Sequence, residues 1–266
     1  MSSFSIGDKE IYYKEYGSGS PLLLIAGLGS DSVSWLPIII NLSKNFRLIT
    51  FDNRGVGRSS EDNLNITIEE MANDCMSLIQ HLNLKKVDVL GHSMGGMIAI
   101  SLAIAYPKIV NRLILEATTS TISSRNNALF EDWILFLKNG MDKKYWFRNM
   151  FYWIFSPAFF DDEDLVKQAV NMAVNYRFPQ SDLSFENQVK AISKFKCDEE
   201  LELIRSSTLI VYGDRDMLFP KVEVEESLNK IPGSKLVVIP DAAHSIHMDN
   251  PEYFVNEVVG FLEKKI

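Results

Sequence analysis

The chain has 266 residues, enough for one large α/β domain carrying an insertion, and no Pro-, Gly- or Ser-rich linker divides it. Hydrophobic residues at 46% and charged residues at 23% suit a chain that buries a sizeable core, which excludes disorder. A formal net charge of −8 repels phosphate and excludes a nucleic-acid reader.

Residues 1–16 alternate polar and apolar side chains around Ile6, Ile11 and Tyr13, the pattern of a strand and not of a signal peptide's apolar core. No apolar run approaches the roughly 20 residues needed to cross a bilayer. The expectation is a soluble cytoplasmic protein in which Cys75 and Cys197 are reduced thiols. Neither cysteine has a Cys or His at metal-ligand spacing, and no metal or other cofactor is expected. Short β-branched runs then alternate with segments of helical period, which predicts parallel strands joined by crossover helices. Strands are predicted over 11–16, 22–26, 47–51, 87–90, 112–115, 209–212 and 236–239. Helices are predicted over 32–44, 67–83, 94–105, 221–230 and 251–264.

The alternation stops between Leu115 and Leu209, a gap of about ninety residues that is too long for a crossover loop. The apolar positions there have helical period. Eleven aromatic residues lie between 133 and 160: Trp133, Phe136, Tyr145, Trp146, Phe147, Phe151, Tyr152, Trp153, Phe155, Phe159 and Phe160. A small helical unit needs such side chains for its own core. About a third are expected to face a cleft beneath it.

Gly91-His92-Ser93-Met94-Gly95 is a Gly-x-Ser-x-Gly motif, which chance alone produces in about one chain in ten of this length. Its setting is what carries information. The strand Val87-Asp88-Val89-Leu90 precedes it and a small-residue helix follows, the strand-turn-helix arrangement that exposes a nucleophilic hydroxyl above a sheet. A serine on so sharp a turn needs small residues two positions before and after it, supplied by Gly91 and Gly95.

These motifs, taken together, resemble the α/β-hydrolase family over residues 12–261. Ala26-Gly27-Leu28-Gly29 resembles the family's oxyanion loop, although His-Gly is commoner there. The run from Asp52 to Ser59 is similar to its Asp-x-Arg-Gly-x-Gly-x-Ser turn, implying that Asp52 and Arg54 are structural. Tyr212-Gly213-Asp214-Arg215-Asp216 is similar to the acid loop, and Ala242-Ala243-His244 followed by Asn250-Pro251-Glu252 to the histidine loop, with Ala243 where glycine is usual. The resemblance implies a mostly parallel central sheet flanked by helices, with a helical cap inserted after the sixth strand. The core is then 1–119 and 197–266 and the cap 120–196.

The base must reach Ser93 from the carboxyl edge of the sheet. His81 lies in a helix upstream and the side chain of His92 leaves the turn elsewhere. His244 and His247 remain, and the family pattern selects His244; His247 is read as a pocket-edge or solvated residue. For the acid, Asp214 and Asp216 both follow a strand and their chemistry alone does not separate them, while the resemblance selects Asp216. The implied oxyanion donors are the backbone N–H groups of Leu28 and Met94.

The expected activity is hydrolysis of a carboxylic ester, thioester or lactone through an acyl-enzyme on Ser93. The segment 153–160 and the run Gln188-Val189-Lys190-Ala191-Ile192 are similar to enol-lactonases and carrier-protein methyl ester esterases. A carbon-carbon bond hydrolase and a cofactor-free perhydrolase share the same triad. A hydrolase-fold ligand receptor is the non-enzyme alternative. The expected partner is a small ester, free or carrier-bound, with Lys138, Lys143, Lys144 and Arg148 as a basic patch for an acidic carrier; a monomer or homodimer is anticipated.

Overall fold

The computed structural model describes residues 2–61 and 66–264. Eight strands form one sheet: β1 Ser2–Ile6, β2 Lys9–Tyr16, β3 Ser20–Ile25, β4 Phe46–Phe51, β5 Val87–His92, β6 Val110–Glu116, β7 Ser207–Gly213 and β8 Lys235–Ile239. Their spatial order is β1-β2-β4-β3-β5-β6-β7-β8. Pairing is antiparallel from β1 through β2 to β4 and parallel from there to β8. The central strands are buried along most of their length, which is why their sequences read as continuous apolar runs and not as alternations.

Eleven α-helices are described: α1 Leu36–Leu42, α2 Ile68–His81, α3 Met94–Ala105, α4 Ser124–Lys138, α5 Lys143–Ile154, α6 Pro157–Phe160, α7 Glu163–Val174, α8 Asp182–Lys194, α9 Lys221–Leu228, α10 Ile246–Asp249 and α11 Pro251–Leu262. On one face of the sheet α2 and α3 pack together in a large core. On the other, α1 and α11 cover a smaller one. Helix α3 is buried on every side from Met94 to Ala103, which its small and apolar residues permit. None of the described helices is long and apolar enough to cross a membrane.

Five helices, α4 to α8, stand between β6 and β7, where the sequence loses its strand pattern. Two of the predicted elements differ from those observed. The N-terminal alternation is broken at Gly7-Asp8 into a hairpin, so β1 adds an eighth strand that the reading as a single strand missed. The helix predicted over 32–44 is a 3-10 turn, Ser32–Trp35, followed by α1. The Asp31 carboxylate accepts from Val33 N–H and starts that turn, and Pro37 lies in the first turn of α1.

Candidate active site

Ser93 sits between β5 and α3 with φ 55° and ψ −119°, a strained conformation for a side chain with a Cβ. The local contacts explain how the turn forms. A Cβ on Gly91 would lie 2.2 Å from the Gly95 carbonyl oxygen, and one on Gly95 only 2.0 Å from that of Ile25. Neither position accepts any other residue. Across the turn, Ser93 N–H donates to Glu116 O at 2.9 Å. Thr118 Oγ1 donates to Ser93 O at 2.7 Å, so the end of β6 and the residues just after it hold both backbone polar groups of Ser93.

His244 and Asp216 converge on this serine from the loops after β8 and β7. Ser93 Oγ lies 2.9 Å from His244 Nε2, and His244 Nδ1 lies 3.0 Å from Asp216 Oδ2. A carboxylate can only accept, so Nδ1 carries the proton and Nε2 is free to accept from the hydroxyl. The other carboxylate oxygen, Asp216 Oδ1, accepts from Leu218 N–H at 2.8 Å and Phe219 N–H at 3.0 Å, which locks its orientation. All three side chains are buried. Asp214 points elsewhere: it is partly exposed and lies 3.6 Å from Arg215. Such a chain can transfer the serine proton to the imidazole and stabilise the resulting imidazolium.

The loop after β3 passes beside Ser93, since a Cβ on Gly27 would lie 3.2 Å from Ser93 Cβ. Leu28, Ser93 and His244 all line one cavity of about 340 Å³. The wall opposite the sheet comes from α4, α5 and α8, including Phe130, Trp133, Trp146, Phe147, Met150 and Phe185. Of the eleven aromatic residues between 133 and 160, three line the cavity: Trp133, Trp146 and Phe147. Phe151, Phe155 and Phe159 pack on one another instead.

Two histidines behave unlike their sequence reading or lie outside it. His247 is fully buried, not solvated or at a pocket edge. Its Nδ1–H donates to Glu116 Oε1 at 2.7 Å, its backbone N–H donates to the same oxygen at 3.0 Å, and its ring lies 4.5 Å from that of Trp35. Glu116, missed by sequence reasoning, was signalled by a lone carboxylate ending the otherwise apolar stretch Leu113-Ile114-Leu115. His92 donates from Nε2 to the carbonyl oxygen of His244 at 3.0 Å, bracing that residue's backbone. One atom from each of His92, Glu116 and His247 lies within 4.8 Å of the others, the group among the described residues that could hold a metal ion. In this group His92 Nε2 and His247 Nδ1 are engaged in hydrogen bonds, while His247 Nε2 and Glu116 Oε2 are buried without a hydrogen-bond partner.

Burial, reinforced by the neighbouring His247 and His244, holds the His92 imidazole well below its ordinary value of 6.5. Folded His92 stays neutral while the unfolded chain takes a proton as pH falls below 6.5, so acidification destabilises the fold. The cost is at most about 1.4 kcal/mol per pH unit for this group. Urea midpoints measured from pH 7 to 5 are expected to fall more steeply for the wild type than for His92→Gln; equal slopes would contradict the assignment.

The remaining sequence candidates are structural. Asp52 accepts from Ser32 N–H at 3.0 Å and Arg58 N–H at 2.8 Å, and Arg54 pairs with Asp74 at 2.6 Å, as the turn resemblance implies. Burial pushes the Cys75 thiol well up and that of Cys197 up to about 12; both cysteines are free. Of the anticipated basic patch, Lys138 pairs with Glu186 at 2.8 Å, Lys143 with Asp182 at 2.5 Å, and Arg148 donates to Tyr152 Oη. Ala243, where glycine is usual, donates its N–H to Asp249 at 2.8 Å.

A doubly wound, mostly parallel sheet with a serine at the turn after β5 defines the class: the chain belongs to the alpha/beta hydrolase fold family, whose profile matches residues 20–251. A protein of Agrobacterium fabrum whose name proposes a carbamate hydrolase, RutD, is 29% identical over 95% of this chain and 97% of its own length. A thermophilic esterase from Thermogutta terrifontis superposes with a TM-score of 0.85 at 26% identity, over 96% of this chain and 93% of that one. The enol-lactonase from Burkholderia xenovorans shares the fold at TM-score 0.88 and 22% identity, over 99% of this chain and 100% of its own.

Proposed function

We propose that this protein is a serine hydrolase that cleaves an uncharged carboxylic ester, thioester or lactone, with residues 120–196 acting as a cap over the core. The observation that carries this reading is the hydrogen-bonded chain Ser93–His244–Asp216 at the floor of a cavity roofed by apolar side chains. Ser93 Oγ attacks the acyl carbon as His244 Nε2 takes its proton. The carbonyl oxygen, now negative, is received by the backbone N–H groups of Met94 and Leu28. Met94 begins α3, whose first N–H groups have no partner within the helix and whose dipole favours negative charge. Collapse of the tetrahedral intermediate expels the alcohol, protonated by His244. Water then releases the carboxylic acid by the same steps.

The lining selects for apolar acyl groups. Each buried methylene contributes about 0.8 kcal/mol, up to about fourfold in kcat/KM, until the cavity is full. With p-nitrophenyl esters from acetate to octanoate, kcat/KM is expected to rise severalfold per added pair of carbons and then level off. A flat series would contradict the apolar-acyl reading. Faster turnover of a small unsubstituted carbamate, the chemistry suggested by the Agrobacterium relative's name, would overturn the ester reading.

A further inference from the structure

Leu28 stands in a tight turn after β3, closed by Ser30 N–H donating to Gly27 O at 3.2 Å, with Gly29 in the left-handed region at φ +69°. Upstream, the turn is held by the core, where Asn53 Nδ2 donates to Ala26 O at 3.1 Å. Its centre and downstream end are held differently. Gly29 N–H donates to Gln188 Oε1 at 3.2 Å, and the Asp31 carboxylate accepts from Tyr176 Oη. Both partners belong to the stretch between β6 and β7, Gln188 on α8 and Tyr176 in the connection from α7 to α8.

Gln188 is fully buried and every polar atom of its side chain is engaged. Besides Gly29, Oε1 accepts from Gln180 Nε2 at 3.1 Å, and Nε2 donates to Arg54 O at 3.3 Å. A buried amide held on three sides has one orientation, with its oxygen toward Gly29. It thereby fixes the Leu28–Gly29 peptide, one residue from an N–H group that must meet a developing oxyanion.

We infer that Gln188 is a positioning residue: through Gly29 it sets the turn that presents the Leu28 amide. Tyr176, through Asp31, secures the same turn, so that seating of the helical segment on the core controls oxyanion stabilisation. The inference rests on the serine-hydrolase reading above. An oxyanion donor is effective only within a few tenths of an ångström of its place, and losing one outright costs about 10² to 10³ in turnover. Loosening one is expected to cost less, about tenfold to a hundredfold.

The test compares Gln188→Met, which keeps length and burial but removes both hydrogen-bonding ends, with Gln188→Glu, which retains the acceptor facing Gly29. Tyr176→Phe removes a single oxygen and serves should the Gln188 variants fold poorly by circular dichroism. Each is assayed for kcat and KM on p-nitrophenyl butyrate and for inhibition by an alkyl trifluoromethyl ketone, whose serine adduct bears an oxyanion. Gln188→Met is expected to lower kcat at least tenfold with KM within about twofold, and to weaken the ketone by a similar factor. Gln188→Glu is expected to recover most of both, and Tyr176→Phe to lose about threefold or more in both. Variants that keep kcat within twofold, or lose it with unchanged ketone affinity, would overturn the inference while the parent reading stands. A wild-type protein that neither turns over the ester nor binds the ketone would overturn the parent reading and this inference with it.

Discussion

Replacing Ser93 by Ala is expected to lower turnover of p-nitrophenyl esters by about 10⁴-fold or more, the loss typical when a covalent nucleophile is removed. The folded structure should survive. Ser93 Oγ has His244 as its hydrogen-bond partner, and the strained backbone of the turn is imposed by Gly91, Gly95 and the backbone hydrogen bonds of Ser93 with Glu116 O and Thr118 Oγ1, none of which the change touches. Circular dichroism and the thermal midpoint should therefore match the wild type. Turnover within tenfold of the wild type in a folded Ser93→Ala protein would mean that another group attacks the carbonyl.

Asp216→Asn is expected to cost about 10⁴-fold in kcat, the scale seen when a triad carboxylate is converted to its amide. The mechanism follows from the acid loop. Because Leu218 and Phe219 N–H groups both point at one oxygen of Asp216, an asparagine there places its carbonyl on them and turns its NH₂ toward His244. An NH₂ group can only donate, so the imidazole is forced into the tautomer with its proton on Nε2 and can no longer take the proton of Ser93. Asp214→Asn, on a side chain facing Arg215 and solvent, is expected to change kcat by less than about threefold. Equal losses in the two variants would place the acid elsewhere.

The parts of this site that the sequence displays are those set by local backbone geometry. The strand Val87–His92, the helix Met94–Ala105 and the glycines flanking Ser93 lie within one continuous stretch, and each constrains the next. Asp216 and His244 were readable because each follows a strand at the carboxyl edge of the sheet, although choosing Asp216 over Asp214 required the family resemblance. The structure adds the reason that chemistry alone could not: only the Asp216 carboxylate reaches His244.

Long-range polar pairs were not legible. Glu116 and His247 are separated by 131 residues and Gly29 and Gln188 by 159, and no periodicity or spacing links either pair. His247 was misread for that reason: it lies three residues from His244 in the short helix α10, and its burial against Glu116 of β6 and the ring of Trp35 comes from parts of the chain distant in sequence. The N-terminal hairpin is marked by a change of phase: the apolar positions are even before Gly7-Asp8, at Phe4 and Ile6, and odd after it, at Ile11 and Tyr13, which a reading as one strand overlooks. The aromatic residues between 133 and 160 announced a helical segment, and its buried Trp133 and Trp146 join the large core that α2 and α3 share. Which of them would line the cavity depended on how α4 and α5 pack against α7 and α8.

The most direct test of the central claim is to treat the wild-type protein with a fluorophosphonate, which bonds through phosphorus to an activated serine oxygen with loss of fluoride, and to map the adduct by mass spectrometry. Stoichiometric modification of the peptide containing Ser93, abolished in Ser93→Ala and strongly slowed in Asp216→Asn, is the predicted result. A protein that resists modification, or carries the label on another serine while hydrolysing esters, would contradict the assignment.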